Sequence, residues 1–137
     1  MTIPPLVNGV LPAGTYQATL AEVAIAFNQP KSNTRPALNA ALEHAAILIW
    51  SRDPTAIIYV NGSYVTGKVD PVDVDLAIRS DVWDDVLFAA VFSVSHPGEE
   101  KFVDFFFNPV QSAQHMEELF REIQGSSAQK GIIQLAP

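Results

Sequence analysis

Residues 72–78, VDVDLAI, constrain the fold more than any other stretch of the chain. Aliphatic residues alternate there with Asp73 and Asp75, which is the period of a strand with one buried face. Val72, Val74, Leu76 and Ile78 are expected to point into a core, leaving Asp73 and Asp75 side by side on the opposite face. Two carboxylates that close repel each other, and one keeps its proton unless a cation lies between them. A second segment repeats the theme. In residues 101–107, KFVDFFF, Asp104 shares a face with Phe102 and Phe106, while Val103, Phe105 and Phe107 fill the other. An aspartate among so many aromatics is costly to bury unpaired. If the two strands are neighbours, Asp73, Asp75 and Asp104 converge on one point.

The remaining pattern supplies helices to cover such a sheet. Residues 1–18 are rich in Pro and Gly and read as an extended arm ending in a turn. Thr19 and Glu22 form a capping box ahead of a short helix over 20–28. After the loop QPKSN, Ser32 or Asn33 caps a second helix, with Pro36 in its first turn and Leu38, Leu42, Ala45 and Ile49 at helical spacing to about Trp50. AIIYV, 56–60, reads as a strand bounded by Asn61-Gly62. A helix over 81–92 is capped by Ser80 or Asp81, a further helix covers 111–123, and KGIIQL closes the chain as a strand. Helices and strands mixed in this order predict an α+β (mixed α/β) domain, a mixed sheet flanked by helices.

Composition narrows the class. At 137 residues the chain fits one domain, able to bury roughly two-thirds of the surface its unfolded form exposes. Hydrophobic content of 48% with 17% charged residues is that of a globular protein rather than a disordered one. No apolar run approaches the ~20 residues that span a bilayer. The start lacks the basic region and apolar core of a signal peptide, so a cytoplasmic location is expected. The absence of cysteine excludes disulfides and thiolate metal sites. Eight basic against 15 acidic residues give a net charge of −7, which weighs against nucleic acid as the main partner.

The loop 62–70 contributes the other half of a site. Gly62 lets backbone approach a ligand closely, and Ser63 offers a hydroxyl and an amide to phosphate oxygens. A helical turn after Ser63 would add an anion site at its N-terminus. Hard oxygen ligands converging without Cys or His suit Mg²⁺ or Mn²⁺, which bind through a few carboxylates plus substrate phosphates. Alone, an Asp-x-Asp pair reads as solvated acids on an edge strand. With a GS ten residues before Asp73 and a third acid on a later strand, it reads as the layout of two-metal phosphoryl or nucleotidyl transfer.

GSYVTGKVDPVDVDLAI followed by FVDFF resembles the polymerase-β-type nucleotidyltransferase superfamily, whose pattern is a GS, a short spacer, Asp-hydrophobic-Asp and a later third acid. LPAGTYQATLAEV, GSYVTGK and KGIIQL extend the likeness to a group of short bacterial nucleotidyltransferase-like proteins, over almost the whole chain. The resemblance implies a single minimal nucleotidyltransferase-like domain over 1–137. Gly62 and Ser63 would hold the triphosphate of an NTP. Asp73 and Asp75 would ligate Mg²⁺ or Mn²⁺, and Asp104 would complete the metal site and assist deprotonation of an acceptor hydroxyl. Lys68, with Tyr64 and Thr66, lies in the same loop as a candidate phosphate or acceptor contact. Larger members append a second domain, so here a partner protein or a second copy of the chain would complete the cleft. A protein or small-molecule acceptor fits the acidic surface better than RNA or DNA. The alternative it implies is a non-catalytic nucleotide- or partner-binding component of a two-gene system of toxin–antitoxin type.

Other residues carry blander expectations. Asp70, before a proline, shapes a turn. Arg35 opposes the dipole at a helix start and reads as half of a surface ion pair. His44, His96 and His115 have no ligand spacing, and the phenylalanines at 105–107 are core.

Overall fold

The computed structural model describes residues 3–98, 100–107 and 131–137. In chain order these form β1 (Thr15–Thr19), α1 (Leu20–Ala26), α2 (Arg35–Arg52), β2 (Ile57–Asn61), a single 3-10 turn (Ser63–Val65), β3 (Val74–Arg79), α3 (Asp85–Ser95), β4 (Val103–Phe107) and β5 (Ile132–Ala136). The strands build one mixed sheet in the order β1-β5-β2-β3-β4. β1 runs parallel to β5, β2 lies antiparallel to both β5 and β3, and β3 runs parallel to β4. The α+β class with a mixed sheet is therefore as expected. The helix read over 111–123 lies outside the described residues. No helix among those described is long and apolar enough to cross a membrane.

The two faces of the sheet have different jobs. Ile58, Val60, Val74, Leu76, Ile78, Val103, Ile133 and Leu135 are buried in one cluster with Leu38, Leu42, Ala45 and Ile49 of α2 and Leu87 and Val91 of α3. The helical spacing in α2 and the alternation in β3 point at this core, so burial of these side chains supplies most of the drive to fold. The opposite face carries Tyr59, Ala77 and Ile132 in a smaller buried cluster, and beside them the acids of β3 and β4.

Local signals act where they were read, with a few shifts. Thr19 and Glu22 close a complete capping box: the Thr19 amide donates to Glu22 Oε1 at 3.0 Å and the Glu22 amide to Thr19 Oγ1 at 3.2 Å. α1 ends at Ala26, two residues earlier than expected. Thr34, rather than Ser32 or Asn33, holds the cap position of α2. Ser32 still supplies the capping oxygen, accepting from the Thr34 and Arg35 amides at 3.2 and 3.0 Å. The arm leads into an edge strand, 15–19 on β5, and is tied down earlier where Val10 bridges to Thr66.

The helix expected over 81–92 begins instead at Asp85 and runs to Ser95, capped by Asp84, whose Oδ1 accepts from the Leu87 amide at 2.8 Å. Ser80 and Asp81 lie too far ahead of this start to cap it, and the Ser80 hydroxyl donates to Asp53 Oδ2 at 2.7 Å while accepting from the Val82 amide at 3.3 Å. β3 also starts later than the alternation implied. Val72 precedes it and is 71% exposed rather than buried, and Phe102 packs on the helix-covered core instead of sharing the face of Asp104.

Candidate functional site

Three strands bring the site together. Antiparallel pairing sets Asn61, the last residue of β2, opposite Asp75, and parallel pairing sets Asp75 opposite Asp104. Partners across such rungs project to the same face, here the one opposite α2 and α3. Asp73 stands two residues before Asp75 on that side. Asp73, Asp75 and Asp104 are each half-buried, and each offers a carboxylate oxygen within 4.8 Å of those of the others. The convergence read from the sequence is therefore present.

Gly62 stands against this cluster. Its φ of 84° lies in a region that L side chains rarely adopt, and a Cβ there would sit 2.5 Å from Asp75 Oδ2 and 2.9 Å from its Cγ. The close approach that requires glycine is thus to the acid itself. Ser63, half-buried, opens the 3-10 turn Ser63–Val65. That single turn is too short to act as a helix dipole, so the expected helix-end anion site is absent there and only the Ser63 groups themselves remain.

Electrostatics within the cluster are uneven. Burial is the main cause holding the Asp73 carboxyl above the usual carboxylate range; Lys101 opposes it, the negative charge of Asp104 adds to it, and Lys68 opposes it. Lys101, which sequence reasoning did not select, has its Nζ 3.7 Å from Asp104 Oδ2, with both side chains more than 40% exposed. Such an open pair contributes little to stability. Lys68 is exposed in the loop yet near enough for its charge to act on Asp73.

The sign of the pH dependence follows. A carboxyl raised by folding favours the folded state while protonated and withdraws that support as pH rises through its folded value. In EDTA, stability is expected to fall as pH rises from the ordinary aspartate range through the higher value of Asp73, and Asp73→Asn should flatten that fall. Melting temperatures of both proteins across this window measure it. At lower pH the trend reverses. Asp53, Asp70 and Asp84 are held below the usual range, first by hydrogen bonds from Ser80, the Asn33 amide and the Leu87 amide respectively, and their support is lost on acidification.

The loop carrying Gly62, Ser63 and Lys68 is fastened to the start of α2. Arg35, 5% exposed, donates from Nη1 to the Tyr64 carbonyl at 2.8 Å and from Nη2 to those of Thr66 and Lys68 at 2.9 and 2.7 Å. Its Nε donates to the Lys68 carbonyl as well, at 3.2 Å. The guanidinium also lies 5.2 Å from the Tyr64 ring centre. Arg35 is therefore a buried clamp, not the surface ion pair expected, because three converging carbonyls replace its water and offset the unfavourable dipole.

Asp70 shapes the turn as read, accepting from the Asn33 amide at 2.7 Å and the Ser32 hydroxyl at 3.2 Å. Gln29 Nε2 donates to the Gly67 carbonyl at 3.1 Å. Tyr64 is no phosphate contact: it is 2% exposed, its hydroxyl donates to Asn39 Oδ1 at 2.6 Å, and burial pushes its pKa up to about 12. The Thr66 hydroxyl is likewise engaged, donating to the Ser63 carbonyl at 2.6 Å.

Asn61 escaped notice in the sequence, where Asn-Gly reads only as a strand end. It is 1% exposed, and neither Nδ2 nor Oδ1 has a hydrogen-bond partner among the described residues. Burying an amide in that way costs about 1–3 kcal/mol, so its presence beside Asp75 needs a reason.

Chemically, three carboxylates whose oxygens lie within 4.8 Å of one another, with Lys68 and Lys101 close by, are a group that could hold a hard divalent cation. The residues fit such an ion: a Cβ-free cradle faces Asp75, the donors are all oxygen, and burial holds the Asp73 carboxyl above the usual carboxylate range. Residues 4–136 match the model of a family of unknown function, DUF6932. No curated protein and no solved structure matches the chain.

Proposed function

This chain belongs to the DUF6932 family, and we propose that it is a divalent-cation-dependent nucleotidyltransferase of the minimal polymerase-β-like kind. It moves a nucleoside monophosphate from an NTP to a hydroxyl. One observation carries this: the backbone of Gly62 lies so close to Asp75 that the GS loop and the acidic cluster are a single structural unit. Phosphate-binding and cation-binding halves built as one unit are what transfer at a phosphorus atom requires.

Asp73, Asp75 and Asp104 would hold Mg²⁺ or Mn²⁺. When bound, the cation offsets the negative charge that builds on the transferring phosphoryl group. The Ser63 hydroxyl and amide, with Lys68, hold phosphate oxygens of the triphosphate. Asp104 accepts the proton of the acceptor hydroxyl, whose oxygen forms a bond to the α-phosphorus as the bond from that phosphorus to the bridging oxygen breaks. Pyrophosphate leaves with that oxygen. The clamp of Arg35 keeps the loop in place before substrate arrives, so little ordering cost falls on binding. With a net charge of −7, a protein or small-molecule acceptor suits the surface better than nucleic acid.

Calorimetric titration of the four ribonucleoside triphosphates with Mg²⁺, and again in EDTA, tests this function. Binding is expected in Mg²⁺ alone, and the parent nucleosides should not bind in either buffer. An absence of binding by every NTP, with Mn²⁺ tried as well, would overturn the transferase assignment.

A non-catalytic partner-binding role is favoured by a separate observation. On α3, Phe88 and Phe92 are 46% and 47% exposed with ring centres 6.2 Å apart, and Val86 is 69% exposed, apolar surface of the kind a partner covers. A second protein of a two-gene system, or another copy of the chain, would cover it. Metal-independent association with no NTP binding would mark that role.

A further inference from the structure

We propose that Asn61 is a positioning residue of the acidic site, its carboxamide holding the Asp75 carboxylate in the orientation a divalent cation requires. The inference rests on the cation-binding function above and adds a residue to it. Asn61 offers two N–H donors and an acceptor, is 1% exposed, and satisfies none of them among the described residues. Buried polar groups in folded proteins are nearly always paired, so an orphaned amide marks a place where something other than the resting fold is being served.

Its location says what is served. Asn61 pairs with Asp75 in the antiparallel ladder, so both side chains stand on the sheet face opposite α2 and α3. The next residue is Gly62, whose missing Cβ makes room for the same carboxylate. Asn61 and Gly62 therefore stand beside one acid from adjacent positions: Gly62 leaves it space, and on cation binding the unpaired Asn61 amide would donate to it. Folding alone argues for a different residue. The other β2 residues on this face, Ile57 and Tyr59, pack in the apolar cluster with Ala77 and Ile132, and asparagine is among the poorest strand formers. When one carboxylate oxygen faces a cation, an N–H donor on the other oxygen fixes the carboxylate plane. Partners of that kind shape a metal site almost as strongly as its ligands.

Asn61→Leu tests this because leucine has the same number of side-chain heavy atoms and no polar ones. Thermal melts in EDTA and titrations with Mn²⁺ alone, by calorimetry or electron paramagnetic resonance, should be run on the natural protein, Asn61→Leu and Asn61→Ala. Asn61→Leu is expected to melt roughly 3–6 °C higher, since the orphaned amide is gone. It should bind Mn²⁺ roughly 10- to 100-fold more weakly. Asn61→Ala should show the same loss of affinity, which keeps the test valid if leucine does not fit. Mn²⁺ affinity within about threefold of the natural protein in either folded variant would overturn the proposal. So would melting temperatures that fall along with affinity in both, because the amide would then be serving the fold. A natural protein that binds no Mn²⁺ would overturn both this role and the cation site beneath it, whereas a natural protein that binds and an Asn61→Leu that binds equally would overturn this role alone.

Discussion

Gly62→Ala is expected to destabilise the protein by roughly 2–4 kcal/mol and to weaken Mn²⁺ binding at least tenfold. Two costs combine. At φ 84° and ψ −167° the backbone lies where only glycine is at ease. The new methyl would also meet Asp75 Oδ2 at 2.5 Å and Cγ at 2.9 Å, so Asp75 must turn away from Asp73 and Asp104. Gly98→Ala is the control. Gly98 also has positive φ, 65°, but a Cβ there meets nothing within 4 Å, so only the backbone cost of about 1 kcal/mol should appear. Urea melts and Mn²⁺ titrations of both variants separate the two. Unchanged Mn²⁺ affinity in Gly62→Ala would mean that the glycine serves the turn and not the acid.

Arg35→Met should have the largest effect on stability, roughly 3–5 kcal/mol, and should loosen the loop that Gly62, Ser63 and Lys68 share. Methionine keeps the apolar stem but removes the donors that hold the carbonyls of Tyr64, Thr66 and Lys68. Those carbonyls would then be partly buried without partners. Arg35→Lys should recover only part of the loss, because one ammonium cannot reproduce a planar fork spread over three acceptors. Hydrogen exchange at residues 62–70 should rise in Arg35→Met, and NTP affinity should fall more than Mn²⁺ affinity, since Asp75 and Asp104 stand on β3 and β4 whereas the proposed phosphate contacts lie on the loop. A loss below about 1 kcal/mol, the range of a surface arginine, would show that the clamp is dispensable.

Arg35 shows where sequence pattern stops. A cation beside Pro36 at a helix start has no local partner, so solvent is the default. Its acceptors lie about thirty residues later, and only the folded chain brings them over the guanidinium. Ser80, five residues ahead of the start of α3, serves a distant partner too. Asp53, at the far end of α2, takes its hydroxyl, and Asp84 caps α3 instead. Asn61 was silent because Asn-Gly marks a strand end whether or not the amide has a partner.

Features with short period or short range were legible in the sequence: the alternation that turns Asp75 away from Val74, Leu76 and Ile78, the capping box at Thr19, and the apolar ridge of α2. These depend on residues within a few positions of one another, where covalent geometry fixes the outcome. Tertiary structure alone decided which strands are neighbours. It put 15–19 beside 132–136, Asn61 beside Asp75 and Asp75 beside Asp104, and so decided that three scattered aspartates and one buried amide would meet. Strand order depends on burying the helix-facing side of the whole sheet at once, a condition that no single segment carries in its own pattern.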